Sequence, residues 1–573
     1  MIVCVAEKPS VASEIAKILG ARTKKDGYYE GNGYQVTWTF GHLCQLKAPD
    51  SYYPQWKRWN MDVLPMIPPK YEVELINNPS IKKQFKVIKD LYKKADSIVN
   101  CGDAGQEGEL IQRWVMQLAG VRCPVSRLWI SSLTEEAIRQ GFRNLKPQCD
   151  FNPLFEAGLA RAEGDWLLGM NATRLYTLKY GGSHQVFSVG RVQTPTLAMI
   201  VARDNEIEHF KPRPYWVITT KYRDTVFNCA SGRFDDKSDA DKIFAQILQS
   251  NLIIKDVLQK GGSELPPQLY DLNTLQIDCN RKFGFSADAT LKNIQSLYEK
   301  KLTTYPRVDT KYLTDDIYGS CPGIIERLAA INEVARPLVN RQLPKSKRVF
   351  DSARVTDHHA IIPTGEVRSL SILNDYERKV YDLIVRRFCA AFYPACEYAQ
   401  TTVLATVASC GFKATGRTIL EEGWRACYPK SLQMDENEKE DANGTLPVFK
   451  FGESGSHRPS LDQKLTLPPY RFNDASVLSA MESVGIGRPS SRAGIIETLI
   501  KRGYVRRDKK SLISCPAGRN LIQVIQDAML KSPELTAVWE SKLRGIEQGH
   551  YSLHQFMNEL QSQLIEIIKD VKK

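Results

Sequence analysis

The side chains best suited to chemistry in this sequence are four acids that follow apolar runs, and a tyrosine two residues before an arginine. Glu7 follows Ile2-Val-Cys-Val-Ala6, and Asp103, Glu107 and Glu109 follow Ser97-Ile-Val-Asn-Cys101 through a glycine-rich turn. Both runs read as strands of one parallel sheet, at whose carboxyl ends ligands gather. Carboxylate oxygens suit Mg²⁺, a hard cation that keeps several waters, takes few protein ligands and usually shares phosphates with its substrate. The same acids would also suit a solvated helix start. Tyr305 sits in Leu302-Thr-Thr-Tyr-Pro-Arg-Val-Asp-Thr310. A phenol with a pKa near ~10 is a poor nucleophile at neutral pH. A cation at Arg307 would favour the phenolate and stabilise charge developing on a phosphate under attack. One of 24 tyrosines taken alone is usually a packing residue, so the pattern must be weighed with its surroundings.

The elements that would hold these groups are legible from periodicity. Ile2–Ala6 reads as a buried strand and Ser10–Leu19 as a helix, which makes a βα unit. A second unit runs from Ser97–Cys101 into a helix with Leu110, Ile111, Trp114 and Val115 on one face. A third runs from Leu128-Trp-Ile130 into a helix begun by the capping box Ser132-Leu-Thr-Glu135. Such alternation implies an α/β domain with a largely parallel sheet over about the first ~145 residues. Lysines 82, 83, 86, 89 and 93, interleaved with Phe85, Ile88 and Leu91, read as the solvated face of a surface helix. Residues 150 to 210 read as helical, strands follow at Tyr215–Lys221 and Thr401–Val407, and the stretch from 271 to 384 between them is mainly helical. Asn437–Gly444 reads as an acidic loop. Val477–Glu482, Arg492–Ile500 and the basic Tyr504–Ile513 hairpin follow a winged-helix order, with a structural helical hairpin as the alternative.

Composition narrows the class. Hydrophobic residues at 42% and charged residues at 25% are those of a folded globular chain, too long for one core. The start lacks a signal-peptide pattern and no apolar run reaches membrane-spanning length, so a cytoplasmic, nucleoid-associated protein with no membrane contact is expected. The 13 cysteines contain no C-x-x-C pair, which suggests neither a zinc ribbon nor a disulfide framework. The net charge of +13 favours an acidic polymer as partner.

Glu7-Lys-Pro-Ser-Val-Ala12 followed by Asp103-Ala-Gly-Gln-Glu-Gly-Glu109 resembles the toprim domain of type IA DNA topoisomerases, especially the topoisomerase III branch. The resemblance places metal-binding acids at Glu7, Asp103 and Glu107. Two positions depart from it: Gly105 stands where a further Asp is usual, and Gln106 where an Arg is usual. The Leu302–Thr310 nonapeptide resembles the family's nucleophile motif. Ser188-Val-Gly-Arg-Val-Gln-Thr-Pro195 resembles a DNA-contact segment, which makes Ser188, Val189, Gly190, Arg191, Val192 and Gln193 candidate DNA-binding residues. Asp357-His-His-Ala-Ile-Ile-Pro-Thr364 resembles the segment that brings a histidine, here His358, to the scissile phosphate. Gly485–Glu497, which contains Arg492 as a further DNA-binding candidate, matches a segment near the end of the family core.

The fold so implied is multidomain, α/β plus α and β, arranged as a four-domain ring. A toprim domain would occupy 1–148, and a helical, partly winged-helix DNA-binding domain 149–210 and 470–573. A β-rich gate would occupy 211–270 and 385–469, and an α-rich domain carrying Tyr305 would occupy 271–384. Tyr305 would cut one strand of a single-stranded DNA segment through a 5′-phosphotyrosyl link. Glu7 would protonate the leaving oxygen, Lys8, Arg307 and His358 would neutralise phosphate, and Mg²⁺ would align the ends for resealing. No G-x-x-x-x-G-K-[ST] loop is present, in keeping with a reaction that needs no ATP. A monomer is expected, with a helicase as a candidate partner, and further C-terminal modules are expected in relatives. The alternatives are a toprim nuclease or primase, or an inactive single-strand clamp.

Overall fold

The first sheet is built around strands whose side chains are buried on both faces, as a sheet flanked by helices requires. In a computed structural model, which describes residues 1–131, 133–182, 186–355, 358–367, 370–433 and 444–573, this sheet has seven strands. Its centre is parallel: Tyr34–Trp38, Ile2–Ala6, Ser97–Cys101 and Val125–Arg127 lie side by side. Antiparallel strands cover both edges. The register pairs Ala6 with Cys101, so the residues that leave these two strands, Glu7 and Gly102-Asp103, emerge next to each other.

Two local expectations shift. The third strand is Val125–Arg127 rather than Leu128–Ile130. Pro124 and Asn100 carbonyls fix the earlier register by accepting from Ile98 and Leu128, and the chain then turns away to cap the sheet. Ser132 and its proposed capping box lie outside the described residues, and the helix that follows is Glu135–Arg143, capped by the Thr134 hydroxyl on the Ala137 amide. The surface helix is present as Pro79–Tyr92, with Phe85, Ile88 and Leu91 buried.

A 29-residue helix, Asn152–Tyr180, and a second, Gln193–Glu208, follow. The C-terminal region packs back on them: Asp474–Ser483, Pro489–Lys501, the Val505–Asp508/Ser511–Ser514 hairpin, then Pro533–Glu547 and Leu553–Lys572. One apolar core unites these segments.

The second large sheet is antiparallel and seven-stranded, drawing Pro214–Tyr222, Thr225–Phe234 and Leu252–Glu264 from before, and Cys396–Val407, Cys410–Glu421, Ser454–Gly455 and Arg458–Leu465 from after, the tyrosine-bearing segment. Leu252–Glu264 pairs with Cys396–Val407 to its last residue, Glu264 opposite Cys396. Between them lie the helices Leu272–Phe283, Ala287–Glu299, Cys321–Ala329 and Asp375–Ala390. Leu302–Thr304 forms no strand there; Thr303 makes one antiparallel bridge to Pro363. A hydrophobic core runs from one face of the first sheet into this helical segment, from Cys4 and Val99 to Leu302 and Tyr305. The acidic loop proposed at 437–444 falls largely outside the described residues, as does Asp357. Among the described residues no helix is long and apolar enough to cross a membrane.

Candidate active site

The turn after Cys101 is shaped by a residue that sequence reading passed over. Arg127, fully buried, donates to the carbonyls of Gly102 at 2.7 Å, Leu128 at 2.7 Å and Asp103 at 3.0 Å. Glu109 balances its charge at 2.9 Å and also pairs with Arg113 at 2.8 Å, so Glu109 anchors the turn from below rather than facing a ligand. The guanidinium therefore pins the backbone that presents Asp103. Gly105 then starts the Gln106–Ala119 helix at φ +155° and ψ 168°, a region open essentially to glycine alone. This backbone gives the departure from the expected Asp a physical reason.

Glu7, Lys8, Asp103, Glu107, Tyr305, Arg307 and His358 are brought together here. Lys8 caps the Pro9–Leu19 helix and places its ammonium 4.0 Å from Asp103 and 3.0 Å from Glu299. Arg307 donates to Glu107 at 3.0 Å, and His42 Nε2 lies 3.4 Å from the same carboxylate. The Tyr305 amide donates to the Ser131 carbonyl at 2.9 Å. Its ring packs at 4.6 Å from His358 and edge-on to Tyr298 at 5.5 Å. His358 in turn stacks on Trp129, with 7° between the planes. These contacts join residues far apart in the chain across the junction of the first sheet with the tyrosine-bearing segment, and Lys301–Glu14 at 2.5 Å adds an ion pair at its edge.

Burial is the largest influence on four of the five shifted groups described here, Glu7, Asp103, Tyr305 and His358, but not on Glu107. It raises the Glu7 carboxyl to about 8, helped by Asp103 and opposed by Lys8 and Arg307. Asp103 is raised by burial, against the pull of Lys8, Arg307 and Arg127. Glu107 is lowered, first by its hydrogen bond with His42 and then, against burial, by Arg307. The Tyr305 phenol is pushed well above its ordinary value by burial and Asp103, with Arg307 opposing. His358 is pushed down to about 3 by burial, against the Ala104 carbonyl. Its Nε2 lies 2.5 Å from that carbonyl and so carries the hydrogen, which leaves Nδ1 to accept from the Ser131 hydroxyl at 2.9 Å. Both ring nitrogens of His358 are thus engaged within the protein. In this arrangement His358 is a strut that ties Ala104 and Ser131 to the tyrosine.

A cavity of about 380 Å³ opens beside these groups, lined by Glu107, Tyr305, Arg307 and His358 on one side and by Arg161 and Arg488 on the other. A second cavity of about 430 Å³ shares Asp165, Arg191, Val192 and Ile495 with the first and is lined along its length by Ser188–Gln193. Arg191 itself is buried in the wall, held by Asp165 at 2.8 Å and Glu540 at 2.5 Å. Gln193 accepts from Arg502, which also lines the second cavity. Arg492 lines neither; it is buried and donates to the Ile486 carbonyl at 3.1 Å. Among the described residues no three His, Cys, Asp or Glu side chains converge closely enough to hold a metal ion, and Glu107 is engaged by Arg307 and His42.

Residues 150–558 match the family model described as DNA topoisomerase, and residues 2–133 match the toprim domain model. The chain is 38% identical over 604 residues to a DNA topoisomerase 3 of Bacillus cereus, across 100% of its own length and 82% of the relative's. It belongs to the type IA DNA topoisomerases, in the topoisomerase III branch. DNA topoisomerase 3 of Bacillus subtilis (strain 168) is 37% identical over 607 residues, with the same coverage. Full-length topoisomerase I from Thermotoga maritima shares the fold, at a TM-score of 0.76 over 99% of this chain and 90% of that one, with 24% identity. The topoisomerase reading prevails over the nuclease, primase and inactive-clamp alternatives. Sequence reading of this topoisomerase missed Arg127, Arg161 and Glu540. Arg161 and Asp165 stand one helical turn apart in a segment already noted, which was the available signal; nothing local marks Glu540.

Proposed function

We propose that this topoisomerase cuts one strand of a single-stranded DNA segment with Tyr305 and reseals it without a nucleotide cofactor. The observation that carries this reading is the burial of Tyr305 against the toprim acids, beside a cavity edged by Arg307. Tyr305 gives up its phenolic proton to solvent in the cavity, its oxygen attacks phosphorus, the 3′-oxygen leaves, and a 5′-phosphotyrosyl link keeps the broken end attached. Glu7, protonated at neutral pH by its raised pKa, gives its proton to the departing oxygen and takes it back on resealing. Lys8 and Arg307 supply positive charge to the phosphate, and Arg307 opposes the acids that hold the phenol protonated at rest. His358, neutral, orients the tyrosine through Ala104 and Ser131.

The donor set suits Mg²⁺. Glu7 and Asp103 are buried acids whose raised pKa values a cation would reverse, and Mg²⁺ needs few protein ligands. Asp103 and Glu107 would hold it, Glu107 after leaving its ion pair, joined by Glu7 once Glu7 has given up its proton, and the ion would help align the ends for resealing.

Strand passage requires the junction at Tyr305 to part, and the division of the chain into 1–148, 149–210 with 470–573, 211–270 with 385–469, and 271–384 assigns the moving body to the last of these. The protein works as a monomer in the cytoplasm with the nucleoid, and a helicase is a natural partner because strand separation supplies its substrate. Trapping the covalent adduct tests the chemistry. Protein is expected on the 5′ end, with a 3′-hydroxyl that a polymerase extends, and Tyr305→Phe is expected to give no adduct while still binding DNA. Adduct formed by the Phe variant, or protein on the 3′ end, overturns the assignment.

A further inference from the structure

Gln106 opens the helix that follows Gly105 and lines the active-site cavity, yet only 7% of its surface is exposed. Arg161, on the facing helix, donates from Nε to the Gln106 Oε1 at 3.1 Å. Guanidinium groups only donate, so this bond fixes which way the amide faces. Its oxygen is turned to Arg161, and the NH₂ is the other end. That NH₂ is buried and has no hydrogen-bond partner among the described residues. Leaving a buried donor unmet is costly, so such a group in a cavity wall calls for an acceptor in the working state.

The rest of the wall holds the amide in this pose. Glu540 takes a bond from each terminal nitrogen of Arg161, at 3.0 and 2.8 Å, which holds the guanidinium with its Nε directed at Gln106. On the other side, a Cβ at Gly158 would come within 3.2 Å of the Gln106 Cγ and of its backbone carbonyl oxygen, so the absence of one leaves room for the start of this side chain. A chain of contacts thus runs from the penultimate helix Pro533–Glu547, through Arg161, to the first residue of the toprim helix.

We infer that Gln106 is a DNA-contacting residue, which donates its amide NH₂ to a phosphodiester oxygen of the strand bound beside Tyr305, in a pose set by the Glu540–Arg161 pair. It rests on the strand-cleavage reading proposed above. A neutral amide contributes direction without charge, so its contact should be nearly independent of salt, unlike that of a lysine or arginine, which releases counterions.

Binding of a labelled single-stranded oligonucleotide, followed by anisotropy over a range of salt concentrations in the Tyr305→Phe background, tests this. Gln106→Met is expected to weaken binding about threefold to tenfold, the loss of one hydrogen bond, with the slope of log affinity against log salt unchanged. Gln106→Glu keeps an acceptor for Arg161 but has no NH₂, and is expected to bind more weakly still. Gln106→Arg is expected to steepen the salt slope by about 0.7, the increment for one added phosphate contact on a single strand. Parent-like binding by either the Met or the Glu variant overturns the inference, and Gln106 is then only a partner of Arg161. Should the Tyr305→Phe parent itself bind no single-stranded DNA, the fault lies with the strand-cleavage reading, and the inference falls with it. Thermal melting of each variant separates lost contact from lost fold.

Discussion

Arg307 and Arg191 each pair with acids in the wall of the same cavity, and they are embedded in opposite ways. Arg307 is 29% exposed and holds Glu107, itself 56% exposed, through one nitrogen, while its own Nε is buried with no partner among the described residues. Arg191 is 3% exposed and clasped between Asp165 and Glu540, and Glu540 also takes Arg161. Burial opposes the charge of both arginines, and nearby negative groups outweigh it in each, most strongly at Arg191. Around Arg307 the contacts join the toprim helix to the tyrosine-bearing segment; around Arg191 they join helices that share one apolar core. One cluster marks where this molecule is built to hold, the other where its contacts are individually weak.

Substitution can separate the two. Glu540→Leu leaves two arginines facing a buried apolar group and is expected to cost about 3–5 kcal/mol in denaturant unfolding, the usual penalty for removing one partner of a buried ion pair. Glu107→Leu, at the exposed pair, is expected to cost less than about 1 kcal/mol. Equal losses would erase the distinction. Next in size, Gly105→Asp would force a side chain onto a backbone at φ +155° and is expected to cost about 1–3 kcal/mol. Restoring the acid usual in the family is therefore expected to lower the melting temperature; an unchanged or higher value would mean the turn relaxes freely.

Glu7 extends the contrast to pH. Its folded pKa, about 8, lies above the ordinary carboxylate value of 4.5, so between these values the folded state binds more protons than the unfolded one. By linkage, stability falls as pH rises through that window and is flat above it. In metal-free buffer, Glu7→Gln should melt higher than the parent at pH 8, with the gap closing toward pH 5. A gap independent of pH would remove Glu7 from the buried, charge-crowded setting. The smallest effect is expected at the junction's edge. Lys301 and Glu14 are 27% and 28% exposed, and a double-mutant cycle should give a coupling below about 1 kcal/mol that fades with added salt. A larger, salt-resistant coupling would make the junction as rigid as the Arg191 cluster.

What could be read from the sequence was what depends on local pattern. Apolar runs followed by acids located the carboxyl ends of two strands, and the register Ala6–Cys101 set them side by side as parallel pairing requires. The Tyr305 and His358 segments were recognisable because their residues are contiguous. The Leu128–Ile130 reading failed because a short apolar run does not reveal where pairing starts, and the flanking Pro124 and Asn100 carbonyls decide it. The setting of His358, stacked on Trp129, buried, and held by a carbonyl 254 residues away that acts against burial, leaves no local trace in the sequence. Glu540 illustrates the same limit: its partners lie 349 and 379 residues earlier.

Because Glu264 pairs with Cys396, the polypeptide leaves the antiparallel sheet and re-enters it at neighbouring points. The whole tyrosine-bearing body therefore hangs from the sheet as an oversized hairpin loop. Its two stems are long, hydrogen-bonded to each other over nearly their full length, and so move together. Covalently, then, the body that carries Tyr305 is tied to that sheet at one place only, by two strands in fixed register.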